Sequence, residues 1–191
     1  ASSLFEDNAE YGFGFLQADK FNKEKIVKIM SKYPEFKEYI ENIDDYNITK
    51  KYYETIDFNK YPELLPYKDY IVKRNIWTIG GDGWAYDIDF SGIDHVLASG
   101  ENVKILVLDT QVYSNTGGQS SKATPIGSVA LFASDGKKTN KKDLARMMMT
   151  YPNVYVAQVS LAANPMQLIK AFNEANSYNG PAIIIAYAPC I

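Results

Sequence analysis

The chain has 191 residues, 46% hydrophobic, 14% aromatic and 23% charged, which suits a globular domain with a sizeable core and excludes collagen-like, low-complexity and wholly disordered readings. No run reaches the roughly 18 consecutive apolar residues of a membrane-crossing helix, and a net charge of −3 offers nucleic acid no broad basic surface. One cysteine and one histidine exclude an internal disulfide framework and a metal site built on several thiolates or imidazoles of this chain, so a bound metal must rest mostly on oxygens.

In chain order, Ser3-Leu4-Phe5-Glu6 has capping-box form, and Glu6, Asp7 and Glu10 then suit the positive end of a helix dipole. Ile26, Val27, Met30 and Tyr33 keep helical spacing, and after Pro34 the series resumes with Phe36, Ile40 and Ile43. From Asp44 to Tyr70 the chain is rich in Tyr, Lys and Asn, broken by Pro62 and Pro66. Residues 1–74 are therefore read as a helical and irregular covering segment of the same domain. Residues 75–191 hold four short apolar runs: Ile76–Ile79, Val103–Leu108, Val154–Val159 and Ala182–Ala186. None alternates cleanly, which predicts strands buried on both faces of a parallel sheet. Helices are expected from Tyr86 to Ser99, from the start signal Thr124-Pro125, over Leu144 to Thr150, and from Asn164-Pro165 with Leu168, Ile169, Phe172 and Ala175 on one face. The fold class is α/β, an open, mainly parallel sheet with flanking helices. Ala1 at one end and Cys190-Ile191 directly after an apolar run at the other lead to the expectation of a fragment of a longer polypeptide. The absence of a basic-then-apolar leader in it argues against secretion.

Ligands of open α/β sheets bind beyond the carboxyl ends of the strands. Gly80-Gly81-Asp82-Gly83 leaves the first predicted strand there, and Asp109 to Gln119 leaves the second. Leu161 to Asn164 and Pro189-Cys190 leave the other two. Glycines let a backbone approach a bulky anion closely, and the following helix start suits phosphate. Asp82 is out of place among donors aimed at phosphate unless a divalent cation sits between them; alone, the turn equally suits a strand-to-helix connection capped by Asp82. Thr110 follows 28 positions later at the end of the adjacent strand. Its hydroxyl and a nearby main-chain carbonyl are hard oxygen donors of the kind Mg²⁺ prefers. A diphosphate held through Mg²⁺ fits this rim better than a free metal site.

Gly81-Asp82-Gly83, 25 residues, then Asp109-Thr110 match the spacing of the thiamine diphosphate motif. The strings from Gly80 to Ile88 and from Tyr113 to Pro125, with Ser3 to Gly14, Leu97 to Gly100 and Ile185 to Cys190, closely resemble the C-terminal thiamine-binding domain of the pyruvate:ferredoxin (flavodoxin) oxidoreductase family, including its form fused to an NADPH-dependent reductase. The resemblance covers nearly the whole chain and is weakest between about Phe21 and Tyr70. It implies Asp82, the Thr110 hydroxyl and the Val112 carbonyl as Mg²⁺ ligands. Gly81, Gly83 and Trp84 would lie along the diphosphate, and Thr110, Gln111, Val112, Tyr113, Ser114 and Asn115 would wrap the cofactor. Asn115 takes the catalytic place near pyruvate and the reactive carbon. Thr110 where most thiamine enzymes carry asparagine is this family's own variant. Cys190 corresponds to one thiolate of a four-iron four-sulfur cluster whose other ligands have no counterpart here.

The activity so implied is oxidative decarboxylation of pyruvate with coenzyme A to acetyl-CoA and carbon dioxide. Electrons leave through iron–sulfur clusters to ferredoxin, flavodoxin or a fused reductase. Other domains of the same polypeptide complete the site, the full-length protein is a homodimer of the cytoplasm or an anaerobic organelle, and the fragment alone is expected to lack turnover. His95 falls mid-helix and reads as structural; Lys137, Lys138, Lys141 and Lys142 read as a solvated helix start; Met147, Met148 and Met149 read as core or interdomain contact; Lys122 follows the glycine loop without an assigned role. Alternatives kept open are another thiamine-dependent 2-oxoacid oxidoreductase, a dinucleotide-binding module using Gly80 to Gly83 and Asp109, and a non-catalytic interaction domain.

Overall fold

The computed structural model describes residues 8–190; the Ser3-to-Glu6 capping box and Asp7 lie outside them. The chain divides into two compact units, Gly14–Asn75 and a sheet unit of residues 8–13 and 76–190. Helix α1 (Asn8–Met30) begins in the second and continues in the first.

Within Gly14–Asn75, α1 is followed by a 3₁₀ turn at Pro34–Phe36, α2 (Lys37–Glu41), α3 (Tyr46–Thr55) and a 3₁₀ stretch at Pro62–Tyr70. Asp45 caps α3, its carboxylate accepting from the Asn47 and Ile48 amides at 2.8 and 3.0 Å. The segment expected as a cover encloses a core of its own. Ile26, Met30, Phe36, Tyr39, Leu64 and Ile71 are buried, with Tyr33 and Tyr52 packed on them. Phe36 and Tyr61 meet edge-on with centroids 4.9 Å apart, a geometry the ring quadrupoles favour.

In the sheet unit, β1 (Ile76–Gly81), α4 (Phe90–Ala98), β2 (Val103–Asp109), a small hairpin of β3 (Val112–Tyr113) and β4 (Gln119–Ser120), α5 (Leu144–Met148), β5 (Tyr155–Val159), α6 (Pro165–Ser177) and β6 (Ala182–Tyr187) follow in order. Among the described residues four strands form one sheet in the order β1-β2-β6-β5. All are parallel, with Gly81 beside Leu108 and Asp109 beside Tyr187 at the carboxyl ends. Ile183, Ile184, Val103, Ile105 and Val107 are sealed from water, as expected of the central strands of a parallel sheet. The expected parallel α/β architecture holds. Asn164 caps α6 by accepting from the Gln167 amide, with Pro165 in the first turn, also as expected. No described helix is long and apolar enough to cross a membrane.

Three expectations are corrected. Between β1 and α4 the chain forms a π-helical segment at Gly83–Ile88 rather than one α-helix from Tyr86. No helix follows Thr124-Pro125: the Thr124 hydroxyl accepts from the Ser121 amide and donates to the Gln111 carbonyl, so it anchors a loop instead of capping a helix. Ile169 is exposed, because the packed stripe of α6 runs through Leu168, Ala171, Phe172 and Ala175.

Candidate functional site

The parallel sheet brings the ends of β1 and β2 together. At the end of β1, Gly80 must lack a side chain because a Cβ there would stand 2.2 Å from the Trp84 ring, which folds back over the turn. Gly83 meets the Tyr113 ring equally closely, so the first loop is seated on the hairpin. A Cβ at Gly81, by contrast, would meet nothing within 4 Å. That glycine leaves backbone open toward a cleft of about 720 Å³.

Asp82 follows, only 1% exposed. Thr110 donates its hydroxyl to Asp82 Oδ1 at 2.7 Å and lies 3.0 Å from the Val112 carbonyl oxygen. One proton therefore faces two acceptors, a carboxylate and a carbonyl, with the hydroxyl oxygen between them. Three hard oxygens so grouped are the donor set an oxygen-seeking divalent cation satisfies. Burial pushes the Asp82 carboxyl up, opposed by hydrogen bonds from Ser121, Thr110 and the Gly83 backbone, with Asp109 adding to the rise. A cation would compensate that buried charge directly. The donor set thus fits Mg²⁺.

The π-helical turn carries Trp84 and Tyr86 inward. The Trp84 indole donates to Asp89 at 2.6 Å, and the Tyr86 hydroxyl donates to Asp109 Oδ2 at 3.2 Å. Wide turns of this kind recur at functional sites. Asp109 also pairs with Lys141. The acid that a dinucleotide module would turn toward a ribose is thus already engaged by two side chains. Gln111 adopts φ +66°, a left-handed conformation that costs a non-glycine residue about 1–2 kcal/mol; the bond from Thr124 to its carbonyl holds it there.

Gly81, Asp82, Gly83, Trp84, Thr110, Tyr113, Ser114 and Asn115 all line the one cleft. Val112 reaches the group through its carbonyl. Asn115 sits in the exposed turn between β3 and β4. Gln111 is not brought to this cleft; it lines a second hollow of about 420 Å³ with Asp109 and Lys141. Cys190 is exposed, and its amide donates to the Thr110 carbonyl at 3.1 Å. Among the described residues no three His, Cys, Asp or Glu side chains come together as a metal cluster. His95 is exposed on α4, edge-on to Phe13.

Sequence reasoning missed the segment 121–143. Ser121 donates to Asp82 Oδ2. Lys137 is no solvated helix residue, for its ammonium donates to the Ser121 and Thr124 carbonyls at 2.7 and 2.6 Å. Lys142 lies over the Phe90 ring and donates to the Tyr86 carbonyl, and burial, then Lys122, pushes it down to about 8. Lys122 pairs with Asp87 at 2.9 Å and its amide bonds the same carboxylate. These partners are 13 to 56 residues apart, beyond any local pattern.

Residues 68–186 match the family described as thiamine pyrophosphate enzyme, C-terminal TPP binding domain. The whole chain is 49% identical to part of a pyruvate:ferredoxin oxidoreductase from Moorella thermoacetica and 50% identical to part of a pyruvate-flavodoxin oxidoreductase from a Nostoc species. It is likewise 47% identical to part of the mitochondrial NADP⁺ pyruvate dehydrogenase of Euglena gracilis. It spans only 18%, 18% and 12% of their lengths. Among solved structures, a 2-oxoglutarate:ferredoxin oxidoreductase from Magnetococcus marinus, with 2-oxoglutarate, coenzyme A and succinyl-CoA bound, superposes with a TM-score of 0.55 at 25% identity, over 60% of this chain and 40% of that one.

Proposed function

The chain belongs to the thiamine pyrophosphate enzyme family through its C-terminal TPP binding domain, and from that premise we propose that it holds the diphosphate end of thiamine diphosphate, through Mg²⁺, in a pyruvate oxidoreductase. One observation carries this reading: the Thr110 hydroxyl set between the Asp82 carboxylate and the Val112 carbonyl, where Asp82 and Thr110 line the cleft. Those three oxygens take the cation. The open backbone at Gly81 and the amides that begin the π-helical turn lie along the phosphates. Asn115, on the exposed hairpin turn, offers an amide to the substrate.

When bound, thiamine diphosphate supplies a nucleophilic carbon for the ketone of a 2-oxo acid and a sink for the electrons left as carbon dioxide departs. The chain's own groups bind and orient. The Trp84–Asp89 and Tyr86–Asp109 hydrogen bonds hold the turn in place, and the Thr124–Gln111 bond holds the second loop. Pyruvate as substrate and ferredoxin or flavodoxin as electron acceptor are assigned by likeness to relatives named for them, coenzyme A as acetyl acceptor by likeness to the 2-oxoacid oxidoreductase whose structure holds it, and a homodimeric full-length protein by the family resemblance alone. Cys190, tied by its amide to Thr110, is assigned as one thiolate of an iron–sulfur cluster completed by residues outside this chain. Turnover is assigned to the full-length protein.

Calorimetric titration of thiamine diphosphate in the presence of Mg²⁺, repeated in EDTA, tests the reading. Binding that requires Mg²⁺ and is lost on Asp82→Ala supports it. A folded, full-length protein that binds neither with nor without the ion overturns it.

A further inference from the structure

The Asp82 carboxylate has two oxygens with different neighbours. Oδ1 faces the Thr110 hydroxyl and, through it, the Val112 carbonyl. Oδ2 accepts the hydroxyl of Ser121, 39 residues away in sequence. That hydroxyl has no freedom to turn elsewhere. The Ala123 amide donates into Ser121 Oγ at 3.0 Å, which directs the Ser121 proton toward Asp82. The Ser121 amide is held by Thr124 Oγ1 at 2.8 Å, and its carbonyl by the Lys137 ammonium. Ser121 is 5% exposed, so water does not compete for the carboxylate at that oxygen.

We propose that Ser121 is the residue that sets cation specificity at this site, by occupying Asp82 Oδ2 so that the carboxylate offers a cation one oxygen and not two. The inference rests on the function proposed above. Its chemistry is the difference between two hard ions. Mg²⁺ requires six near-octahedral oxygens and takes a carboxylate through one of them, whereas Ca²⁺ accepts six to eight ligands and readily takes both oxygens of one carboxylate. A directed donor on Oδ2 costs the single-oxygen ion nothing and denies the larger ion the chelate it uses. Partners that fix a metal-ligating side chain commonly change metal affinity by about 10–100-fold when removed. Ser121 acts through Asp82 and is a positioning residue.

The test compares thiamine diphosphate affinity supported by Mg²⁺ with that supported by Ca²⁺, in the intact protein and in Ser121→Ala and Ser121→Thr. The wild-type protein binds more tightly with Mg²⁺. In Ser121→Ala the Mg²⁺-supported affinity falls about 10-fold while the Ca²⁺-supported affinity holds or rises, so the ratio collapses. Ser121→Thr, which keeps the hydroxyl, retains the ratio. Should Ser121→Ala fail to fold, Ser121→Cys keeps the test open, its weaker donor giving an intermediate ratio. A Ser121→Ala protein that loses affinity equally with both ions, or with neither, overturns the inference and leaves the cofactor site standing. A wild-type protein indifferent to the choice of ion overturns the inference alone, and one that binds with no divalent ion at all overturns both.

Discussion

In Gly14–Asn75 tyrosine hydroxyls leave water to bond across the unit, alongside the buried Asp19 and Thr49. The Tyr39 hydroxyl donates to the Ile71 carbonyl at 2.7 Å, Tyr33 donates to Glu63 at 2.8 Å, and Tyr61 donates to Glu35. Each bond ties one stretch of chain to another around an apolar cluster. In the sheet unit, Asp82, Asp109, Ser121 and Thr124 are buried at and beyond the strand ends, with Ser121 bonded to Asp82 and to Thr124. Buried carboxylates there cost stability unless something pairs with them. The contrast separates two uses of polarity: one closes a fold, the other, on the function proposed above, keeps a place for a ligand.

Truncating the aromatic core is the strongest way to test that separation. Phe36→Ala is expected to destabilise Gly14–Asn75 by about 3–5 kcal/mol, the usual result of deleting a buried ring. Amide hydrogen exchange would show it as lost protection within those residues, with Mg²⁺-dependent cofactor affinity unchanged. A matching loss of affinity would break the comparison. Asp82→Asn inverts it. The cation loses its charged ligand, and thiamine diphosphate affinity is expected to fall at least ~100-fold, the upper end of what supporting residues alone contribute, while exchange in Gly14–Asn75 stays as it was.

Gly81→Ala sharpens the point because its new methyl meets no protein atom. The melting temperature should hardly move. The methyl crowds the approaching phosphates, and overpacking of about 1–3 kcal/mol corresponds to roughly a 10-fold or larger loss of affinity. A lower melting temperature with full affinity would show that the open space serves folding.

The smallest expected effect is one of pH. The hydrogen bond from Tyr61, then the Glu35 backbone and Lys60, hold the Glu35 carboxyl down at about 2 against an ordinary 4.5. A depressed carboxyl contributes stability that is complete above its unfolded value and disappears as the folded form protonates. Exchange protection in Gly14–Asn75 should therefore weaken as pH falls from 4.5 toward 2, and Glu35→Gln should flatten that slope. Solvent at Glu35 keeps the effect modest.

What could be read in the sequence tracks how local the physics is. The four strands were legible because Ile183-Ile184-Ile185 and its counterparts are mostly apolar runs without clean alternation, as the strands of a parallel sheet tend to be. Gly81-Asp82-Gly83 and Thr110 were legible because each stands directly at a strand end, so a spacing along the chain is also a place on the rim. Ser121, Lys137 and Lys142 were not. Their roles depend on a loop crossing back to Asp82, Thr124 and Tyr86, and a serine or a lysine in a polar stretch carries no mark of the partner it will meet. Thr124-Pro125 misled for the same reason: a hydroxyl before proline suits a helix start, but the Gln111 carbonyl, 13 residues earlier, claimed it. Met148 is buried while Met147 and Met149 face water, a split that follows the short α5 and not composition.

The π-helical segment at Gly83–Ile88 also governs how this chain can change length. A helix turns about 100° per residue, so deleting one residue between Ala85 and Ile88 would let the wide turn tighten to ordinary α pitch. Deleting Asp87 would turn Asp89 about 100° relative to Trp84 and break the hydrogen bond between them. Substitutions can be absorbed there one side chain at a time, but a single-residue deletion cannot. Natural variants of this turn should differ in residue identity and keep their residue count.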